Sequence, residues 1–348
     1  MSAWLSLKVA AIVLVSVVLG VLLRVVPHTP LSQFVRVSTA IYAEDGQLLR
    51  LTLAADQQYR LWTPLPQVSP EFIEALLLHE DRHYRRHFGV DPLALVRALV
   101  RMASGGAHQG GSTITMQLAR RIYHLNTRTV VGKIRQMGAA TWLELRYSKD
   151  EILEAHVNLI PYGRNIQGVG AASLIYFAKS ANHLTFAEAL ALALIPQAPR
   201  SRNPGVIEPA SLLKSRVALA ALWATKHAAL PASIAAAGQT LHFRGLDQLP
   251  FEAPHVVSAL LEATLAKSEI HTTLSFSLQK LLERTVRQYV ATQRRLGVTN
   301  AAAMLVDFRS MQVKALVGSA DFADPLIDGQ VNGTTAKRSP AKCRTRPS

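Results

Sequence analysis

Ser69-Pro-Glu-Phe-Ile-Glu-Ala-Leu-Leu-Leu-His-Glu-Asp-Arg-His83 is the stretch on which the fold of this 348-residue chain turns. Ser69 is a helix cap and Pro70 takes the first helical position, where a missing N–H costs nothing. Ile73, Leu76, Leu77 and Tyr84 then recur on one apolar stripe. Glu80 falls four residues after Leu76 and three after Leu77, so helical spacing places a carboxylate on that stripe rather than on the polar face. A carboxylate held there is desolvated, as a general base or acid for sugar chemistry requires; a helix-end glutamate that snorkels to water is the other reading. His79-Glu-Asp-Arg-His83 also satisfies H-E-x-x-H, the zinc peptidase pattern. Against a metal stand Asp81 and Arg82, charged middle positions that such a helix would have to bury.

Working outward, Ser148-x-x-Glu151 and Thr185-x-x-Glu188 are capping boxes that predict helices over about 149–160 and 186–195, so residues 70–225 read as mainly helical. Upstream, residues 35–53 alternate around Asp45-Gly46 and read as a small hairpin. Further upstream, the fifteen uncharged residues Val9 to Leu23, flanked by Lys8 and Arg24, read as a membrane anchor, with a cleaved signal peptide as the alternative. Downstream, Ile270 to Leu274, a helix near 276–295 and strands over 302–307 and 312–318 suggest a separate α+β module.

Composition narrows the class. With 49% hydrophobic and 18% charged residues the chain buries enough apolar surface to fold. The single cysteine, Cys343, excludes a disulfide scaffold and a cysteine-based zinc site. A net charge of +15 invites anionic partners. The stretch from Pro92 to Leu143 contains no acid but carries Arg97, Arg101, Arg120, Arg121, Arg128, Lys133 and Arg135, a local anion-attracting segment or a solvated basic face.

Four ordered segments resemble a known family: Glu80 to Asp91 with His87 and Gly89, Gly110 to Arg120, Ser148 to Asn158 with Gly163, and Ala171 to Lys179. They are similar to the motifs of the peptidoglycan glycosyltransferases, family 51, and the chain beyond them resembles class A penicillin-binding proteins of type 1C. The resemblance implies a lysozyme-like, mainly α-helical glycosyltransferase domain. It also implies a reaction in which the C4 hydroxyl of an acceptor sugar attacks the anomeric carbon of a lipid-diphosphate-linked glycan, with inversion. Glu80 then takes the general-base position. Asp81, His87, Gly111, Ser112, Thr113, Gln117, Arg120, Arg128, Lys133, Gln136, Glu151 and Asn158 take substrate-binding positions, the basic ones around the diphosphate. No cofactor is required by this likeness, beyond a divalent cation such as Mg2+ accompanying the diphosphate. Lipid II, the nascent glycan chain, membrane lipid and other cell-wall synthesis proteins are the partners implied, and nucleic acid is not.

Two positions depart from the family pattern. Gln136 stands where a second glutamate is usual, and an amide cannot ligate a metal as an anion or act as an acid. Met116 replaces the first of a Gln-Gln pair, leaving Gln117, while Glu151 has a full structural explanation in its capping box. Ser339-Pro-Ala-Lys342 satisfies S-x-x-K, the acyl-enzyme motif of penicillin-binding transpeptidases, but no S-x-N or K-T-G element follows. The expected organisation is a short cytoplasmic segment (1–7), an anchor (8–26), a juxtamembrane hairpin (27–59), the glycosyltransferase domain (60–225), a linker (226–270) and an incomplete α+β transpeptidase-type module (271–348). Such a protein would sit in the bacterial inner membrane as a single-pass protein, its catalytic domain extracytoplasmic. A membrane-anchored lysozyme-like hydrolase, a zinc peptidase and a non-enzymatic envelope scaffold are the competing readings.

Overall fold

Helix α1 (Pro70–Glu80) begins where Ser69 Oγ accepts the Phe72 N–H at 3.3 Å and buries Phe72, Ala75, Leu76 and Leu78. It ends because Asp81 leaves helical dihedrals, with φ −156° and ψ 77°. The structure, a computed structural model, describes residues 8, 20, 24–103, 111–197, 202, 207–226, 231–263 and 267–336. The chain divides into two units, Met1–Val37 with Leu53–Asp247, and Ser38–Thr52 with Gln248–Ser348.

In the first unit α1 is followed by α2 (Pro92–Ala103), α3 (Ile114–Ile122), α4 (Val130–Arg146), α5 (Lys149–Leu159), α6 (Val169–Phe177), α7 (Phe186–Leu194), α8 (Ala210–Ala224) and α9 (Pro231–Ala236). Helix α7 is buried from Ala187 through Leu194, which suits an apolar segment on all faces, and α1 and α8 pack on it. Each buried Leu there contributes about 1.5–3 kcal/mol relative to exposure. Both capping boxes form: Ser148 Oγ with the Glu151 N–H, and Thr185 Oγ1 with the Glu188 N–H, each glutamate reaching back to its cap. Thr113 and Thr129 cap α3 and α4 through Met116 N and Gly132 N. Gly89, at φ +81°, lies so close to α4 that a Cβ would stand 2.9 Å from the Ala140 carbonyl carbon and oxygen.

In the second unit, β1 (Ala40–Tyr42) and β2 (Leu48–Leu51) form the expected antiparallel hairpin, turning at Gly46 with φ +79°. Strand β1 also pairs in parallel with β3 (Glu269–His271), giving the order β2-β1-β3. Helix α10 (Pro254–Ala263) and helix α11 (Phe276–Gln293) accompany the antiparallel pair β4 (Ala303–Asp307) and β5 (Gln312–Val317). Ile41, Ala43, Leu49, Ala253, Val257 and Leu274 make the core of this unit.

The structure divides the chain differently from the expected boundaries. The hairpin within 27–59 is sheet-bonded to β3 and belongs to the second unit, and the first unit runs on to Asp247 rather than giving way to a linker at 226. The anchor expected over 8–26 lies almost wholly outside the described residues, as do Gly110, Ser339 and Lys342. No helix of the described residues is long and apolar enough to cross a membrane.

Candidate active site

Glu80, the last residue of α1, is half-buried, and its Oε2 accepts a 2.5 Å hydrogen bond from Gln117 Nε2 on α3. What brings α1 and α3 together is the next residue. Asp81 Oδ2 accepts the Ile114 N–H at 3.0 Å, at the first turn of α3, and both Asp81 oxygens lie 3.0 Å from His87 Nε2. The Asp81 and His87 side chains are 4% and 5% exposed, so this pair faces inward, bonded to each other and, through Asp81, to the first turn of α3. Thr113, also buried, donates from Oγ1 to Gly89 O at 2.5 Å while capping α3.

At the start of α3, the half-buried Ser112 Oγ accepts from Lys133 Nζ at 2.7 Å. Burial first, and the neighbouring Arg120 charge second, hold the Lys133 ammonium below its ordinary value. Ser112, Lys133 and exposed Arg120 therefore form one cationic corner, with half-buried Gly111 beside it in sequence. Arg128 is exposed, and its backbone N–H is tied to Asn126 Oδ1 at 3.1 Å.

Three further residues expected to bind substrate have internal partners as well. Gln136, 1% exposed, donates from Nε2 to the Met116 carbonyl at 2.7 Å, inside the α3–α4 packing. Asn158, fully buried, accepts from Thr63 N at 2.8 Å and donates to Thr63 O and Glu154 O at 2.8 and 2.9 Å, standing in for a strand partner. Glu151 closes its capping box: burial would raise its carboxyl, but hydrogen bonds from Ser148 and His28 outweigh this and hold it low.

The H-E-x-x-H pattern does not form a helical turn. Since α1 stops at Glu80, His79 turns to Gln197 Oε1 at 2.7 Å while His83 faces Asp91 Oδ2 at 3.4 Å. Among the described residues no three His, Cys, Asp or Glu side chains gather as a metal site.

A family model for a transglycosylase matches residues 45–222, just over half the chain. The chain belongs to the transglycosylase family. It is similar to penicillin-binding protein 1C of Escherichia coli K12, 34% identical over 86% of this chain and 38% of that protein. It is also similar to penicillin-binding protein 2D of Bacillus subtilis 168, 31% identical over 87% of this chain and 45% of that protein. Against penicillin-binding protein 1A of E. coli K12 it is 40% identical over 47% of this chain and 19% of that protein. The chain thus spans less than half the length of these curated relatives. Penicillin-binding protein 1A from Haemophilus influenzae aligns with 79% of this chain and 32% of that chain, at 19% identity and a TM-score of 0.34.

In this transglycosylase domain, sequence reasoning gave no site role to three polar residues: Arg121 and Tyr162, which feel the Glu80 charge, and His156, which feels Arg121. Arg121 on α3, His156 on α5 and Tyr162 each have a buried polar atom with no hydrogen-bond partner among the described residues. Burial, then the Arg121 charge, keeps His156 well below its ordinary value and therefore neutral. Burial, then Tyr176, pushes the Tyr162 phenol well up, so it too stays uncharged. The usable signal was spacing: Arg121 is four residues after Gln117 on one helix face.

Proposed function

We propose that the chain is a peptidoglycan glycosyltransferase that polymerises lipid II into glycan strands by inverting transfer, releasing undecaprenyl diphosphate. The observation that carries this reading is a half-buried carboxylate, Glu80, fixed by Gln117 on a helix whose ends contribute to the cationic corner of Ser112, Arg120 and Lys133. Glu80 accepts the proton of the acceptor C4 hydroxyl as its oxygen attacks the anomeric carbon. The bond from that carbon to the diphosphate oxygen breaks on the opposite face, and its electron pair leaves with the diphosphate. Lys133 and the exposed Arg120 and Arg128 offset the charge that develops there. A hydrolase needs a similar carboxylate but has no use for these cations. These cations offer no carboxylate to a divalent ion, so a Mg2+ accompanying the diphosphate would be held by the substrate rather than by these residues, and would supply further charge to the leaving group.

The same reading places the protein at the inner membrane, anchored through 8–26 with its catalytic unit extracytoplasmic, beside other cell-wall synthesis proteins. Leu93, Val96 and Val100 on α2 are exposed around Arg97, and Val130, Val131 and Ile134 on α4 are exposed near Arg128 and Arg135. Such apolar and basic faces suit an anionic, lipid-linked substrate at a bilayer surface.

The test is incubation of the purified chain with lipid-linked disaccharide-pentapeptide. Glycan polymer together with released lipid diphosphate is expected. Cleavage of preformed glycan by water, with no use of the lipid-linked donor, would select the hydrolase instead.

A further inference from the structure

Arg121 is a cation in an awkward place. Its Nη1 is sealed from solvent and has no hydrogen-bond partner among the described residues. Gln117, one helical turn earlier on the same face of α3, is the residue that binds Glu80. Helical side chains lean back toward the N-terminus, so position 121 covers the turn of α3 that holds Gln117, the residue bonded to Glu80.

The groups around it leave one candidate for a counter-charge. Arg120, next on the helix, is a like charge; His156 on α5 is neutral; Tyr162 is an uncharged phenol. His79, from α1, also feels Glu80 but is held below its ordinary value by burial. Burial first and Arg120 second push the Arg121 guanidinium down to about 10, and Glu80 is the carboxylate that opposes them. At neutral pH Arg121 is still a cation.

We propose that Arg121 is a positioning residue for Glu80: its buried guanidinium is the fixed charge that, with the Gln117 amide, holds the carboxylate in place to receive the acceptor's proton. The sealed Nη1 of Arg121 and its place one turn from Gln117 stand on the structure, the pairing with Glu80 is the proposal, and its role in proton transfer rests on the glycosyltransferase reading.

Two measurements on the full chain separate these. In steady-state polymerisation, Arg121→Met lowers kcat about tenfold or more with KM for the lipid-linked substrate within twofold, and Arg121→Lys recovers most of the loss. A raised KM with unchanged kcat makes Arg121 a substrate contact and overturns the proposal, as does wild-type behaviour in both parameters. Thermal unfolding needs no substrate. Glu80→Gln strands the buried cation, so it lowers Tm by about 3 °C or more in the wild-type background and by less when Arg121→Met is already present. Additive Tm changes overturn the pairing. If Arg121→Met does not fold, the same cycle is run with Arg121→Gln. A wild-type chain that fails to polymerise, with the Tm cycle still coupled, refutes the glycosyltransferase reading and leaves the pairing standing.

Discussion

Gln136→Glu restores the residue type usual in the resembling family, and the structure predicts that it destabilises this chain. The side chain is 1% exposed and its Nε2 lies 2.7 Å from the Met116 carbonyl oxygen. A carboxylate there would set oxygen against oxygen in a dry site, so the new group is held protonated in the fold and donates to that carbonyl instead. Its folded-state titration is raised above the unfolded value of about 4.3. Stability is therefore close to wild type below about pH 4 and falls by about 1.4 kcal/mol per unit as pH rises, until the folded group ionises. If the group stays neutral to pH 7, the loss there is about 3.5 kcal/mol, or about 7–14 °C in Tm for a domain of about 150–250 residues. Melting curves from pH 4 to 8 read this, with Gln136→Met as a control that loses the hydrogen bond at every pH without a slope. A Gln136→Glu protein that melts within 2 °C of wild type at pH 8 would refute the buried placement. A simultaneous Mg2+-dependent gain in turnover would put this side chain on the substrate.

Glu80→Gln keeps shape and polarity but cannot take a proton, so polymerisation falls by about 10²–10⁴-fold with circular dichroism unchanged; turnover within threefold of wild type removes Glu80 from the mechanism. Lys133→Ala deletes the ammonium held at Ser112 and weakens donor turnover more than Arg135→Ala, an exposed cation on the same helix, whereas equal effects would mean a diffuse basic face. Gly89→Ala combines a left-handed φ of +81° with a 2.9 Å approach to the Ala140 carbonyl, and its loss of stability, about 2 kcal/mol or more, is read by denaturant unfolding.

What the sequence shows well is local. The caps at Ser69, Ser148 and Thr185 start helices where spacing puts them, because each cap bonds a backbone group three residues away. Glu80 sits half-buried at the end of the apolar stripe for the same reason. What it hides is the partner of each polar motif residue. Asp81 meets Ile114, Gln136 meets Met116 and Asn158 meets Thr63, across separations of 33, 20 and 95 residues. Residue type alone does not distinguish a carboxylate that meets substrate from one that meets an orphan N–H. The β1–β3 pairing is hidden likewise, since a three-residue parallel strand has no turn to announce it.

These internal bonds are what give the site its geometry. Asp81 follows Glu80 directly, and its carboxylate takes the N–H of Ile114, three residues before Gln117. One short bond therefore registers the end of α1 against the first turn of α3, so that Glu80 and Gln117 meet at 2.5 Å. His87 Nε2 meets the buried Asp81 carboxylate from a second side at 3.0 Å, and Thr113 ties the same helix start to Gly89 O. Removing Asp81 would leave the reacting carboxylate present but free to wander, and displacements of about 1 Å cost on the order of 10²-fold in rate. In the proposed reaction Asp81 and His87 serve the chemistry by fixing where Glu80 stands, which accounts for polar residues crowded beside that carboxylate yet closed to solvent.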